Sequence, residues 1–362
     1  MKPEAIYSAA EELLTQIENT DRPANELINT YTRSRRYIGS KDRRTLTDLV
    51  WTIIRHHKRL RYRYPDLTRA EQIRLAAETG LSDISVLSDA PNDINWEVPD
   101  WLIPLIPYAD QELPALLEPA PIILRANGDR NRIQHQLAQE GIDTEPTTLS
   151  SFGLRLKKRA NLQSSAAFRS GLIEIQDEGS QCVALETGIQ PGDTVLDYCA
   201  GAGGKSLIFA QMMNNQGTVI AHDISDKSLH ELTQRAQRAK ATCIRVQKPL
   251  QQALYDHVVV DAPCSGTGTW RRCPDMRWKL TPSQLDNLVQ RQASILDSAS
   301  LYVKTSGHLS YMTCSLTRPE NQDQIEHFLS DHKDYRLIRQ KQFSPAKTQT
   351  DGLFIAVMQK TR

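Results

Sequence analysis

Two cysteines stand where chemistry is to be expected. The stretch VVVDAPCSGTG, Val258–Gly268, puts Cys264 directly after a proline at the end of an apolar run, and YMTCSLTRPEN, Tyr311–Asn321, puts Cys314 in a similar strand-to-loop setting. A thiol acts as nucleophile or metal ligand only as the thiolate. The nine histidines show no ligand spacing and the six cysteines include no C-x-x-C pair, so no metal, zinc included, and no disulfide frame is expected. At an apolar strand end a cysteine is ordinarily a small core residue, and Cys182, Cys199, Cys243 and Cys273 are read that way.

A third feature joins the two cysteines. DYCAGAGGKS, Asp197–Ser206, is a glycine-rich turn between an apolar run and a helical pattern, and glycines there let backbone approach a ligand while leaving helix amides free. The turn Cys199, Ala200, Gly201, Ala202, Gly203, Gly204, Lys205 is neither a P-loop nor a G-x-G-x-x-G, which argues against nucleotide hydrolysis and nicotinamide binding. Some twenty residues later a second apolar run ends in Asp223. An acid at that spacing suits the two hydroxyls of a ribose; the alternative is a helix N-cap.

Elements able to position these residues follow from periodicity. Strand-like runs TVLDYCA, TVIAHD, CIRVQ, HVVVDAP, HLSYMTCS and GLFIAVMQ alternate with helical stretches KSLIFAQMM, SDKSLHELTQRAQRAK and SQLDNLVQRQASILDSASLYV. This is the pattern of an α/β doubly wound, Rossmann-like sheet, predicted over residues 176–362, in which ligands bind beyond the carboxyl ends of the strands. Residues 120–175 read as a small α+β module with strands at PIILRAN, GLRLK and GLIEIQ and a helix at NRIQHQLAQEG. Residues 1–85 read as an all-helical domain, with AIYSAAEELLTQIE and TLTDLVWTIIRHHKRL as helices and Ser40 or Asp42 as the cap of the second; 86–119 form a proline-rich linker with helical segments.

The net charge of +1 conceals a basic segment. Arg33 to Arg63 holds eleven Lys and Arg against Asp42 and Asp48, a balance of +9 that leaves −8 for the rest of the chain. Tyr37, Trp51, Tyr62 and Tyr64 are interleaved with those cations, as on an RNA-binding face; the alternative is a solvated helix face with core aromatics. With 39% hydrophobic residues the chain can bury sizeable cores, and it has neither a long apolar run nor an apolar N-terminal signal region. The expectation is a cytoplasmic monomer with no membrane partner.

Taken together, DYCAGAGGK, the HD of Asp223, DAPCSGTG, TCSLTRPEN and GLIEIQDEGSQ resemble the motifs of the S-adenosylmethionine-dependent RNA cytosine-C5 methyltransferases of the Sun/Fmu type. The module at 120–175 is similar to that family's RNA-binding subdomain. The N-terminal YIGSKDRR looks like the antitermination-factor (NusB)-like domain of the branch that methylates 16S ribosomal RNA. The resemblance implies S-adenosylmethionine as cofactor, held by Cys199–Lys205, Asp223 and Asp261, and 16S rRNA or a small-subunit particle as partner. Cytosine C5 is a poor nucleophile, so such enzymes add a thiolate to C6. The resemblance assigns that thiol to Cys314 and product release to Cys264. Asp261 would bond the N3/N4 edge of the cytosine, and Lys205 would orient the base and favour a thiolate; the bland reading of Lys205 is a solvated first-turn lysine. Many members carry an acid near the position of Gln247, and here VQKPLQQALYDH has none there. Two other functions compete: a DNA or tRNA cytosine-C5 methyltransferase, the DNA enzyme using Cys264 as nucleophile, and an RNA-binding assembly factor that has kept the fold without turnover.

Overall fold

The computed structural model describes residues 1–35, 37–81, 84 and 89–362, and Arg36 of the basic segment lies outside them. The chain forms two compact units: Met1–Pro119 with Thr269–Gln284, and Ala120–Gly268 with Leu285–Arg362. Thr269–Gln284, read from the sequence as part of the doubly wound domain, therefore packs with the helical unit.

The first unit is helical. Helices Pro3–Glu18, Ala24–Ser34, Ser40–Arg55, His57–Arg63 and Arg69–Thr79 enclose a core that includes Leu13, Ile17, Leu46, Ile53 and Ile73. Neither Ser40 nor Asp42 caps the third helix: Gly39 is its N-cap, without a side-chain bond. The expected single helix through Leu60 breaks at His56, and the backbone N–H groups of Lys58 and Arg59 are taken by the fully buried Glu97 carboxylate at 2.7 and 2.9 Å. Burial raises the Glu97 pKa to about 7. The Thr269–Gln284 segment is tied in by polar groups. Asp275 accepts from the Ala24 N–H at the start of a helix (3.0 Å), Arg277 donates to the Leu116 carbonyl, and Arg271 donates to the Glu118 and Pro119 carbonyls.

The second unit holds two sheets. Strands β1 (Ile123–Ala126), β2 (Thr144–Pro146), β3 (Gly153–Leu156) and β4 (Ile173–Ile175) form an antiparallel sheet in the order β2-β3-β1-β4. The large sheet comprises β5 (Thr194–Asp197), β6 (Thr218–Ala221), β7 (Ile244–Val246), β8 (Tyr255–Asp261), β9 (Val303–Thr313), β10 (Tyr335–Phe343) and β11 (Leu353–Lys360), in the order β10-β11-β9-β8-β5-β6-β7. The five strands from β9 to β7 run parallel, while β11 joins β9 and β10 joins β11 antiparallel. Such a sheet, helices on its faces, is the Rossmann-like class that the alternation of elements predicts.

Strand β10 had no counterpart in the sequence reading. As the edge strand, its interior from Arg336 to Lys341 is exposed and polar-rich, so it shows neither an apolar run nor clean alternation. The helix over Pro282–Ser300 stops three residues before β9, where the sequence pattern carries it on through Leu301–Val303.

Candidate active site

Adjacent strands of the large sheet end at one cavity. The β5 strand finishes at the fully buried Asp197, whose carboxylate accepts from Ser206 Oγ (2.6 Å) and whose pKa burial raises to about 7. The turn that follows is shaped by Gly203, at φ +86°. A Cβ there would lie 2.6 Å from Leu232 Cγ, so only glycine lets the turn settle on the helix Asp226–Arg238. The next helix, Gly204–Met212, then opens directly beyond the turn.

Asp223 sits just past the end of β6. Its Oδ2 accepts from the Gly201 N–H (2.9 Å) and its Oδ1 from the Ser225 N–H (2.8 Å). Ser225, not Asp223, caps the following helix, so the N-cap alternative falls. Each oxygen holds one backbone donor and keeps lone-pair capacity for another hydrogen bond. Ile224 beside it is 73% exposed, an apolar surface at the rim of the cavity.

Lys205 is not a solvated lysine. It is 6% exposed, and its ammonium donates to Asp261 Oδ2 (3.0 Å) at the end of β8 and to Ser180 Oγ (2.9 Å). Ser180 belongs to the GLIEIQDEGSQ stretch, which forms a joint: Gln176 reaches Ser180 and the Gly204 carbonyl, and the buried Arg125 of β1 bonds Gln176 and the same carbonyl. The small sheet therefore bears on the first turn of the glycine-loop helix.

The two cysteines meet. Cys264 Sγ and Cys314 Sγ are 3.3 Å apart, and the Cys314 N–H also points at Cys264 Sγ (3.3 Å). The loops carrying them are laced by Gly268 N–H to the Cys314 carbonyl (3.0 Å) and Leu316 N–H to Thr267 Oγ1 (2.8 Å). A Cβ on Gly268 would strike the Gly352 carbonyl at 2.0 Å, so this crossing demands glycine. The hydrogen bond with Cys314, burial and the Glu320 charge all push the Cys264 pKa well above the ordinary thiol value. Either sulfur can donate in the contact between them. Burial also raises Cys182 and Cys199 to about 12 and lifts Cys243, as inert core thiols require.

The cavity, about 680 Å³, is lined by Cys264, Cys314, Asp261 and Asp223, and also by Tyr198, His222, Arg291 and Ile295. Its volume is that of a cofactor site. A carboxylate with spare acceptor capacity, an apolar rim and a close-packed glycine turn fit an adenosine-bearing ligand. Of the turn expected to hold the cofactor, Cys199 lines the cavity, whereas Ala200, Gly201, Ala202, Gly203, Gly204 and Lys205 do not, Lys205 touching it only through its bond to Asp261.

The family model described as 16S rRNA methyltransferase RsmB/F matches residues 184–359. The probable ribosomal RNA small subunit methyltransferase B of Bacillus subtilis (strain 168) is 33% identical over 272 residues, 67% of this chain and 61% of that protein. Its counterpart in Synechocystis sp. is 30% identical over 344 residues, 89% of this chain and 72% of that protein. The chain belongs to the 16S rRNA methyltransferase RsmB/F family. It spans 61% and 72% of the lengths of those two relatives. Among solved structures, PH0851 gives a TM-score of 0.81 at 21% identity over 99% of both chains. NSun6 from Pyrococcus horikoshii with SFG gives 0.64 at 17% identity, over 70% of this chain and 94% of that one. At such identities the likeness is one of fold.

Several residues of this RsmB/F-family site escaped sequence reasoning. Ile224 was visible in principle, as an apolar residue next to the candidate ribose acid inside a loop. Arg291 and Ile295 share one helix face by their i,i+4 spacing, but nothing in the sequence says that this face looks into the cavity. Gln247, the position lacking an acid, does not line the cavity; its carbonyl faces His222 Nδ1 at 3.0 Å. Among the described residues no cluster of His, Cys, Asp or Glu has metal-ligand geometry, and no helix is long and apolar enough to cross a membrane.

The basic segment divides. Arg35 pairs with Glu12 (2.8 Å) and lies over the Tyr31 ring (3.6 Å), Arg55 donates to the Leu117 and Arg271 carbonyls, Lys58 binds Asp93 (2.8 Å), and Arg59 is buried. Lys41, Arg44, Arg61 and Arg63 are exposed, with Tyr37 and Tyr62, whereas Trp51 and Tyr64 pack against the core.

Proposed function

We propose that this chain transfers a methyl group from S-adenosylmethionine to C5 of a cytosine in 16S rRNA through a covalent bond between Cys314 and C6. The observation that carries this reading is the pair of thiols at 3.3 Å, lining one cavity with Asp261, whose carboxylate accepts from Lys205 at 3.0 Å. Asp223 and the turn Cys199–Lys205 would hold the cofactor, with Ile224 as a platform for its adenine. Bound there, S-adenosylmethionine supplies the electrophilic methyl group.

The chain's own residues do the rest. Cys314 adds as thiolate to C6, the C5–C6 π pair shifts onto C5 and is delocalised toward N3, which takes up a proton, and the enamine so formed is nucleophilic at C5. Asp261, held by Lys205, bonds the N3/N4 edge and stabilises the protonated adduct. Once C5 carries the methyl group its proton passes to solvent water, the C5–H pair restores the C5–C6 double bond, and the C6–S bond breaks with its pair leaving on Cys314 as thiolate. Cys264 assists that last step. The Cys314 contact, burial and the Glu320 charge, which all disfavour a thiolate at Cys264, support this assignment over the DNA-enzyme order, in which Cys264 would attack.

Incubating the chain with methyl-labelled S-adenosylmethionine and unmodified 16S rRNA, followed by bisulfite sequencing, tests the proposal. The expected result is one cytosine newly protected from conversion. Label at another base or atom, or no transfer to RNA or small-subunit particles, would overturn it.

A further inference from the structure

The carboxylate of Glu320 is fully buried, and it gathers donors from both cysteine loops. Its Oε1 accepts from the Ser265 N–H (2.7 Å) and from Gln292 Nε2 (3.0 Å). Its Oε2 accepts from the hydroxyls of Ser265 and Ser315, both at 2.5 Å, and of Thr317 (2.8 Å). All five donors are neutral. Ser265 follows Cys264 directly and Ser315 follows Cys314, so one side chain grips the residue after each thiol. Asn321 reinforces the second loop, accepting from Thr313 Oγ1 (2.6 Å) and donating to the Ser315 carbonyl (2.9 Å).

A buried ion without a cation partner is costly to keep, and hydrogen bonds from several oriented donors are what offset that cost. The cost is sensible here if the grip has work beyond stability. A shift of Ser265 or Ser315 carries the neighbouring sulfur with it, and the contact at 3.3 Å leaves little room for such a shift. The negative charge of Glu320 also faces Cys264 from behind and opposes a second charge there.

We propose that Glu320 is a positioning residue: it holds Ser265 and Ser315 so that the two sulfurs stay in contact and Cys314, not Cys264, is the thiol that meets the base. The reactive role of Cys314 rests on the cytosine-C5 reading; the grip rests on geometry alone.

The test uses Glu320→Gln in the full chain, close in shape and without the charge. The first measurement needs neither RNA nor cofactor: alkylation of Cys264 and Cys314 by iodoacetamide, each followed by peptide mass spectrometry across a range of pH. In the native chain Cys314 reacts faster, and in Glu320→Gln the ratio of the two rates falls about tenfold, as loss of charge-assisted bonds implies. The second is steady-state methylation, where kcat falls by about the same factor while KM for RNA holds. An unchanged alkylation ratio in folded Glu320→Gln overturns the proposal. Should that variant fail to fold, Ser265→Ala and Thr317→Val each delete one hydroxyl, and each narrows the ratio about threefold; unchanged ratios in both overturn it equally. A native chain that methylates no cytosine defeats the catalytic reading and leaves the alkylation ratio to judge the grip.

Discussion

In the two cysteine loops polar side chains turn inward onto one another: Thr267 of the first and Ser315, Thr317, Glu320 and Asn321 of the second are all fully buried. In the basic helices of the first unit the polar side chains part company. Arg59 lies inside, Arg55 and Lys58 are bound to carbonyls and Asp93, and Lys41, Arg61 and Arg63 stand in solvent. The difference teaches how function is distributed. A loop residue held by several buried partners acts as part of one constellation, so its loss is felt in full. An exposed cation on a helix contributes singly and additively.

The largest effect should come from the thiols. On the proposed mechanism Cys314→Ala removes the attacking group, and methylation should stop while S-adenosylmethionine still binds. Cys264→Ala leaves attack and methyl transfer intact but slows elimination, so a protein–RNA species that survives denaturing electrophoresis should accumulate, and the double variant should show none. Trapping by Cys314→Ala instead would reverse the roles. Unchanged methylation in both would reduce the pair to core residues and break the contrast between the regions.

Asp223 comes next. Losing hydrogen bonds to a charged group costs roughly 1.5–3 kcal/mol, so Asp223→Ala should weaken S-adenosylmethionine binding about tenfold or more. Calorimetric titration measures this directly. Because Asp223 also fastens Gly201 and Ser225, Asp223→Asn separates the effects: it keeps one acceptor oxygen for the loop and loses the charge. Equal affinity in the Asn variant would assign Asp223 to the loop alone.

Why the loops were legible and the helices less so follows from their chemistry. Pro263-Cys264 and Thr313-Cys314-Ser315 sit in turns where each side chain has a single task, so residue identity at fixed spacing carries the geometry. The central parallel strands β5 and β8 were legible because most of their residues are buried and each reads as an apolar run. Charge along a helix, by contrast, is a sum over faces. Arg59 and Arg61 look alike in sequence and differ only in which way the helix turns them. The packing of Thr269–Gln284 with the helical unit had no sequence signal at all, since it rests on buried polar contacts of Arg271, Asp275 and Arg277 with distant carbonyls and an N–H. Glu320 lay inside a quoted motif, yet nothing in that string shows that it reaches Ser265.

The basic segment can be sharpened by choosing cations by exposure. Neutralising Lys41, Arg61 and Arg63 together should lower RNA affinity and flatten its log-log salt dependence by nearly one unit per lost phosphate contact on duplex-like RNA, with S-adenosylmethionine affinity unchanged. Arg59→Gln should act differently, lowering the stability of the helical unit while leaving the salt slope alone. A salt slope untouched by the triple variant would make this a solvated face.

The smallest expected effect is a pH dependence confined to the helical unit. Burial and neighbouring arginines lower both His56 and His57 to about 4, from an ordinary value of 6.5, while burial raises Glu97 to about 7 from 4.5. For the histidines, stability is fully present above 6.5 and is lost as pH falls through 6.5 toward 4, because the unfolded chain takes up protons that the fold refuses. For Glu97 the sign is opposite: its protonated form suits the fold, and stability falls as pH rises from 4.5 through 7. Between about 4.5 and 6.5 two histidines oppose one carboxyl, so acidification should destabilise the unit by up to one net proton, roughly 1.4 kcal/mol per pH unit at most. Hydrogen exchange of the helix Ser40–Arg55 amides, converted to opening free energies, measures it. His57→Phe keeps a ring against Trp278, which His57 stacks on at 4.8 Å, and removes one titrating group, so the slope should flatten toward zero. A slope as steep as in the native chain would show that His57 titrates alike in the folded and unfolded unit, and would leave the acid response of these helices to surface charge.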